Sequence, residues 1–285
     1  MEMRFAILGG DERFRRLAAL CRAEGHDVAS FALGPEDAPG PAAAAEGADC
    51  VILPLPAVKG GRLNAPFAAA APAPGPLLAQ LAPGTLVCAG SPPPEVRTLC
   101  ETYRLRLRDY GAREDFLLRN AELTAEGALS LLLAGGKALR GSRVLLAGYG
   151  RVGRALSRKL LALGAGVTVL ARSSADRTRA ALDGCRALPF GAAPGPWDAV
   201  VNTVPAPVFF AAALADFQGA ALLDLASAPG GFDPEAVRQS GAAVRFAPGL
   251  PGQHAPAAAA EAVRAAVAAI LEEEACNTNC ASGWR

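Results

Sequence analysis

Hydrophobic and polar positions fall into blocks along the chain, short apolar runs alternating with longer stretches that repeat at helical spacing. Arg4–Leu8 is an apolar run of strand length, and Gly9-Gly10 interrupts it ahead of a helix reaching about Glu24. Gly25-His26-Asp27 closes that helix, and Asp27–Phe31 reads as a second strand. Residues 50–53 and 85–89 are further strand candidates, while the Ala-, Pro- and Gly-biased stretches 34–48 and 65–76 read as loops and short helices. A helical period then covers 123–139, with Leu129, Leu132 and Leu133 on one side, and stops at Gly141. Five more strand-like segments follow: Arg143–Ala147, Gly166–Leu170, Ala199–Asn202, Ala221–Asp224 and 244–247. Val152, Leu156 and Leu160 mark an amphipathic helix between the first two, and Val263, Val267, Ile270 and Leu271 mark a last helix over 255–274.

Strands alternating with helices predict an α/β protein. The pattern divides into an N-terminal α/β domain over 1–122, a second strand–helix domain over 123–274 that keeps the last helix, and a polar, disordered tail over 275–285. At 285 residues, 52% hydrophobic and 19% charged, the chain is too apolar for intrinsic disorder. Its 28 basic and 27 acidic side chains leave +1, so a broad nucleic-acid surface is not expected. Every apolar run is broken well before the ~20 residues of a membrane span. Met1-Glu2-Met3-Arg4 is no signal peptide, and a cytoplasmic protein is expected. Cys21, Cys50, Cys88, Cys100 and Cys185 read as buried free thiols. Cys276 and Cys280 have no histidine nearby, and no metal site is expected there.

The most informative segment is Gly148-Tyr149-Gly150-Arg151-Val152-Gly153, a G-x-G-x-x-G turn between an apolar strand and an amphipathic helix. The first glycine permits the tight turn, the second admits a pyrophosphate, and the third lets helix and strand pack closely. The second domain is therefore expected to be a doubly wound, Rossmann-type parallel sheet that binds a dinucleotide, and the first to be Rossmann-like. An NAD site carries a carboxylate at the end of the next strand. Here that strand runs into Arg172-Ser173-Ser174, with Arg177 close behind. Guanidinium and hydroxyl groups suit a 2′-phosphate, so NADP is predicted, with NAD as the alternative. Asn202-Thr203, Asp224, Ser227 and Leu250 lie at or just beyond strand ends, where open α/β sheets bind ligands. Asn202, Thr203, Asp224 and Leu250 are assigned to the cofactor side and Ser227 to the substrate side.

Several segments occur in order: Ala6-Ile7-Leu8-Gly9-Gly10-Asp11, Asn120 with Thr124-Ala125-Glu126-Gly127, the Gly148 turn, Asn202-Thr203-Val204-Pro205, Asp224-Leu225-Ala226-Ser227-Ala228-Pro229-Gly230-Gly231 and Ala247-Pro248-Gly249-Leu250-Pro251-Gly252. This series resembles the dipicolinate synthase A-subunit family of spore-forming bacteria. The resemblance implies oxidation of dihydrodipicolinate, or of its hydrated precursor from the lysine pathway, to pyridine-2,6-dicarboxylate. It also implies a hetero-oligomer with a flavoprotein-like B-subunit, working in the mother cell during sporulation.

Aromatising such a dicarboxylate removes a hydride and a proton, and a dianion needs cationic partners. Arg13, Lys59 and Arg62 are the candidates in the first domain. Glu126, if tuned upward by burial, would serve as base, with Thr124 beside it at the opening of the connecting helix; the same Thr-x-Glu could equally be a cap. His254 is a further proton shuttle, and His26, in its Gly-His-Asp turn, is expected to be structural. Two other readings stay open. One is a shikimate-dehydrogenase-like NADP oxidoreductase, vaguely suggested by the Pro-x-Lys-like stretch ending at Lys59. The other is a nucleotide-binding partner subunit without turnover, allowed because Pro256-Ala257-Ala258 stands where the resemblance would place a Lys-Thr pair.

Overall fold

The structure, a computed structural model, describes residues 2–191 and 195–282. In chain order the first elements are β1 (Arg4–Leu8), α1 (Glu12–Ala23), β2 (Asp27–Phe31), α2 (Pro41–Ala45), β3 (Cys50–Ile52), β4 (Val58–Lys59), β5 (Arg62–Leu63), α3 (Pro74–Leu78), β6 (Leu86–Ala89), α4 (Pro94–Thr102), β7 (Arg106–Asp109) and α5 (Glu114–Ala134). There follow β8 (Arg143–Ala147), α6 (Arg151–Ala162), β9 (Gly166–Leu170), α7 (Ser174–Leu182), β10 (Arg186–Leu188), β11 (Ala199–Asn202), α8 (Ala211–Asp216), β12 (Ala221–Asp224), α9 (Pro234–Ser240), β13 (Val244–Phe246), α10 (Leu250–His254) and α11 (Pro256–Ser282). The chain forms two compact units, one of residues 1–119 with 255–285 and one of residues 120–254.

In the first unit a parallel sheet runs β2-β1-β3-β6-β7. Its central strands are apolar on both faces, as strands covered by helices on either side must be. Phe5 and Ile7 point to one cluster, with Phe14, Leu17 and Ile52, while Ala6 and Leu8 point to the other, with Val51, Leu53 and Val87. The strand order reverses at β1, so the crevice beyond its carboxyl end is the place where such a sheet receives ligands. The antiparallel β4–β5 hairpin follows β3, turned by Gly60 and Gly61 with φ of 60° and 73°.

The second unit holds a six-stranded parallel sheet in the order β10-β9-β8-β11-β12-β13, the doubly wound arrangement expected from its sequence. Val144, Leu146, Val169 and Val201 pack with Leu156 and Leu160 of α6 on one face. Leu145, Val200 and Leu222 pack with Phe209, Phe217 and Phe232 on the other.

Four features depart from the sequence reading. The connecting helix opens at Glu114, not near Leu123, with Glu114 and Asp115 favourably placed in its first turn. It stops at Ala134 ahead of Gly135-Gly136, and Leu133 is exposed rather than part of the buried face. The last helix belongs to the first unit, not the second: Ala260, Val263, Val267 and Ile270 are buried against Phe14, Leu17, Ala18 and Cys21. Small residues at 259, 260 and 266 let α11 lie close to α1. From Ala275 to Ser282 the predicted disordered tail is helix, because no Gly or Pro interrupts the backbone ladder there; 283–285 lie outside the described residues. The edge strands β7 and β10 went unpredicted, since both are short and largely polar. The five scattered cysteines are buried and free, as expected.

Because Ile270 is fully enclosed in the first unit, Ile270→Ala is expected to destabilise the protein by about 2–5 kcal/mol in urea unfolding. A change within error would show that α11 is not held there.

Candidate dinucleotide and anion sites

At the carboxyl end of β8, Gly148 takes φ +94°, and a Cβ on it would meet the Thr203 hydroxyl at 2.4 Å. Gly153 lies closer still to the turn, where a Cβ would meet the Gly148 carbonyl oxygen at 2.3 Å. Gly150 is different: a Cβ there would meet nothing within 4 Å, and as N-cap of α6 it contributes no side-chain cap. The N-cap position of α6 thus leaves room beside a helix N-terminus of positive potential, an arrangement that fits a pyrophosphate. The Gly9-Gly10 turn of the first unit fails the same comparison. Leu63 and the Asn64 carbonyl fill the space at Gly9, and Phe14 lies 2.3 Å from a Cβ on Gly10.

Tyr149 points inward, 5% exposed, and its hydroxyl donates to Asp183 at 2.6 Å. Burial and that hydrogen bond push the hydroxyl up to about 12. Of the residues expected on the ribose side, Arg172 and Ser174 are exposed. Ser173 caps α7 by accepting from the Asp176 N–H, and Arg177 donates to the carbonyls of Ala171 and Arg172 at 2.9 and 2.6 Å. Arg172 has no side-chain partner among the described residues, so its guanidinium is available to a ligand while that of Arg177 shapes the loop. Arg151 is exposed and Val152 half-buried at the head of α6.

Asn202 and Asp224 sit opposite each other in the β11–β12 register and are both 0% exposed. Asn202 donates to Asp224 and to the Val204 carbonyl, and Asp224 also accepts from the N–H groups of Ala226 and Gly231. Contrary to expectation, their polar atoms are taken up inside the protein; they shape the loops after β11 and β12 instead of facing a ligand. Thr203 ties the β11 loop to the β8 turn by donating its hydroxyl to the Ala147 carbonyl at 2.8 Å. Leu250, 1% exposed, is likewise a packing residue, set against the space left by Gly127 of α5.

The proton-transfer candidates separate. Thr124 lies inside α5, not at its start, and donates to the Asn120 carbonyl one turn back at 2.7 Å. Glu126 is exposed, not buried as expected, and pairs with Lys159 at 3.2 Å. Lys159 also binds Glu122; burial works against its charge, but the two carboxylates outweigh it and hold the ammonium above its usual range. His254 is exposed at the end of α10, beside Gly127, and its imidazole has no hydrogen-bond partner among the described residues. His26, by contrast, accepts from the Met3 N–H and stacks edge-on with Phe5.

In the first unit Arg13 is 7% exposed, just past the β1 turn. Its Nε and Nη2 grip both oxygens of Asp11, and Nη2 also donates to the Leu55 carbonyl at 2.8 Å. The third nitrogen, Nη1, makes no hydrogen bond among the described residues. Lys59 is exposed at the hairpin tip, and Arg62, also exposed, donates to the Ala71 carbonyl. Ser227 is exposed after β12. Asp11, which fixes the Arg13 fork, and Asp183, which holds Tyr149, were not singled out from sequence. Each sits at a helix end, where aspartate reads as an ordinary cap or turn residue.

Residues 4–111 match the family described as the N-terminal domain of the dipicolinate synthase A-subunit. The dipicolinate synthase A-subunit of Bacillus subtilis (strain 168) is 34% identical over 168 residues, covering 56% of this chain and 56% of that protein, so the aligned part spans little more than half of this curated relative. The crystal structure of the dipicolinate synthase A-subunit from Bacillus halodurans superposes with a TM-score of 0.83 at 25% identity, over 94% of this chain and 97% of that one. The corresponding crystal structure from Bacillus subtilis gives 0.81 at 24% identity, over 97% and 98%. No helix among the described residues is long and apolar enough to cross a membrane. Sequence and fold point the same way: the N-terminal part of the chain matches the N-terminal domain family of the dipicolinate synthase A-subunit, and the chain is similar in fold to the crystal structures of that subunit.

Proposed function

We propose that this protein is the dehydrogenase-like subunit of a dipicolinate synthase, oxidising dihydrodipicolinate or its hydrated precursor to dipicolinate with NADP. The observation that carries the reading is the Gly148 turn, where two glycines are locked by contact and the third, Gly150, opens onto empty space at a helix N-terminus. A nicotinamide dinucleotide held there supplies the hydride acceptor. The first turn of α6 would bind its pyrophosphate, and Arg172 with Ser174 its 2′-phosphate. Arg13 would take a substrate carboxylate through Nη1, its plane already set by Asp11 and Leu55, with Lys59 adding positive charge at the hairpin tip. His254, whose imidazole has no hydrogen-bond partner among the described residues, is the proposed proton acceptor among the three candidates. Partnership with the flavoprotein-like B-subunit of the synthase, in the mother cell of a sporulating bacterium, is part of the same proposal.

The direct test is to incubate the purified chain, alone and with the B-subunit, with fresh dihydrodipicolinate and NADP⁺. Nicotinamide reduction and pyridine dicarboxylate absorbance are followed together, and equal growth of both is expected. Product without NADPH would move the oxidation away from the dinucleotide.

Cofactor choice is tested by titrating NADP⁺ and NAD⁺ into the parent and Arg172→Asp. The parent is expected to favour NADP⁺ and the variant to reverse the preference, each single charge-assisted contact contributing roughly 1.5–3 kcal/mol. Equal affinity of the parent for both would sink the 2′-phosphate reading. For Arg13→Lys, which cannot keep the fork, the substrate KM is expected to rise about tenfold or more while NADP⁺ affinity stays unchanged. An unaltered KM would remove Arg13 from substrate binding.

A further inference from the structure

Tyr149 stands between the glycines of the open turn, and glycine on either side leaves a loop with much conformational freedom to lose. Its ring is buried in the apolar cluster of the second unit with Leu156 and Cys185. Its hydroxyl reaches Asp183, the C-cap residue of α7. A carboxylate at that end of a helix is opposed by the helix dipole, so the helix alone gives no reason for an aspartate there. The opposite end of α7 carries the ribose-side contacts: Ser173 caps it, and Arg177 reaches back from its first turn to the carbonyls of Ala171 and Arg172. A single nine-residue helix therefore holds both loops of the dinucleotide site, one at each end.

We propose that Tyr149 is a positioning residue, and that its hydrogen bond to Asp183 ties the pyrophosphate turn to α7 and thereby to the Arg172 loop. This rests on the dinucleotide reading above. Tyr149 acts without touching a phosphate; it fixes the backbone between Gly148 and Gly150. Losing the bond therefore weakens the shared part of the site and affects both dinucleotides alike, whereas a change at Arg172 alters their ratio.

The experiment titrates NADP⁺ and NAD⁺ calorimetrically into the full chain and into Tyr149→Phe, Asp183→Ala, Asp183→Asn and the double variant Tyr149→Phe/Asp183→Ala. Circular dichroism and urea midpoints of the unliganded proteins report folding. Tyr149→Phe and Asp183→Ala are each expected to lose about three- to tenfold in affinity for both dinucleotides, with the NADP⁺/NAD⁺ ratio preserved. The double variant should lose no more than either single one, and Asp183→Asn, which keeps an acceptor oxygen, should recover most of the loss. Parent-like binding by Tyr149→Phe, or losses that add in the double variant, would overturn the proposal. A fall in affinity matched by a fall in urea midpoint, unrelieved by Asp183→Asn, would assign the pair to stability alone. If the parent binds neither dinucleotide, the underlying reading fails and this proposal falls with it.

Discussion

The approach of α6 to the end of β8 is the constraint on which the second unit is built. Gly153 lies so near the Gly148 carbonyl that a methyl group would come within 2.3 Å of it. Only glycine at both positions lets the helix begin where it does, and that start sets the direction of the unpaired N–H groups in its first turn. Thr203 closes the other side by bonding the Ala147 carbonyl and filling the space over Gly148. β8, the β11 loop and α6 are thus joined at one point, and Gly150 is the position left open.

Two buried polar nodes organise the loops around the strand ends, and they differ in what they leave available. Asn202 and Asp224 satisfy one another and three backbone N–H groups, those of Val204, Ala226 and Gly231. Gly231 must be glycine, since a Cβ would meet Asn202 at 2.1 Å. Such a node fixes loop geometry, because leaving any member unpaired away from water costs about 1–3 kcal/mol. The Asp11–Arg13 node is incomplete by comparison. Asp11 and Leu55 occupy Nε and Nη2, and the remaining nitrogen keeps its donors. A guanidinium already held in plane loses little freedom when it meets a carboxylate, which is the physical ground for proposing it as an anion anchor.

Much of this was legible in the sequence. The inner strands β1, β3, β6, β8, β11 and β12 announced themselves as unbroken apolar runs, because both faces of a central parallel strand are covered. The edge strands β7 and β10 did not, since an edge needs no such run. The Gly148 motif announced the tight strand–turn–helix between β8 and α6 through spacing that few other structures require. Asn202 and Asp224 were found by position, yet their role was misjudged, because a residue at a strand end can face a ligand or the interior, and local sequence does not distinguish the two. The exposure of Glu126 was hidden for a related reason: whether a helical carboxylate is buried depends on the neighbouring helix, here the one that brings Lys159. The ownership of α11 was hidden too, as its apolar stripe states that it packs but not upon what.

The two glycine turns show why the motif alone is not the site. Both follow the first strand of a parallel sheet, and both lie where the strand order reverses. At Gly9-Gly10 the chain fills its own crevice with Phe14, Leu63 and the Asn64 carbonyl, and the Gly10 N–H already donates to that carbonyl at 2.8 Å. At Gly148-Tyr149-Gly150 the intervening side chain turns inward and a Cβ on Gly150 would meet nothing within 4 Å. The same fold principle thus yields a packed turn beside a fixed guanidinium in one unit and an open turn at a helix N-terminus in the other. The difference between the two turns follows from which side chains enter the crevice, not from the glycines themselves.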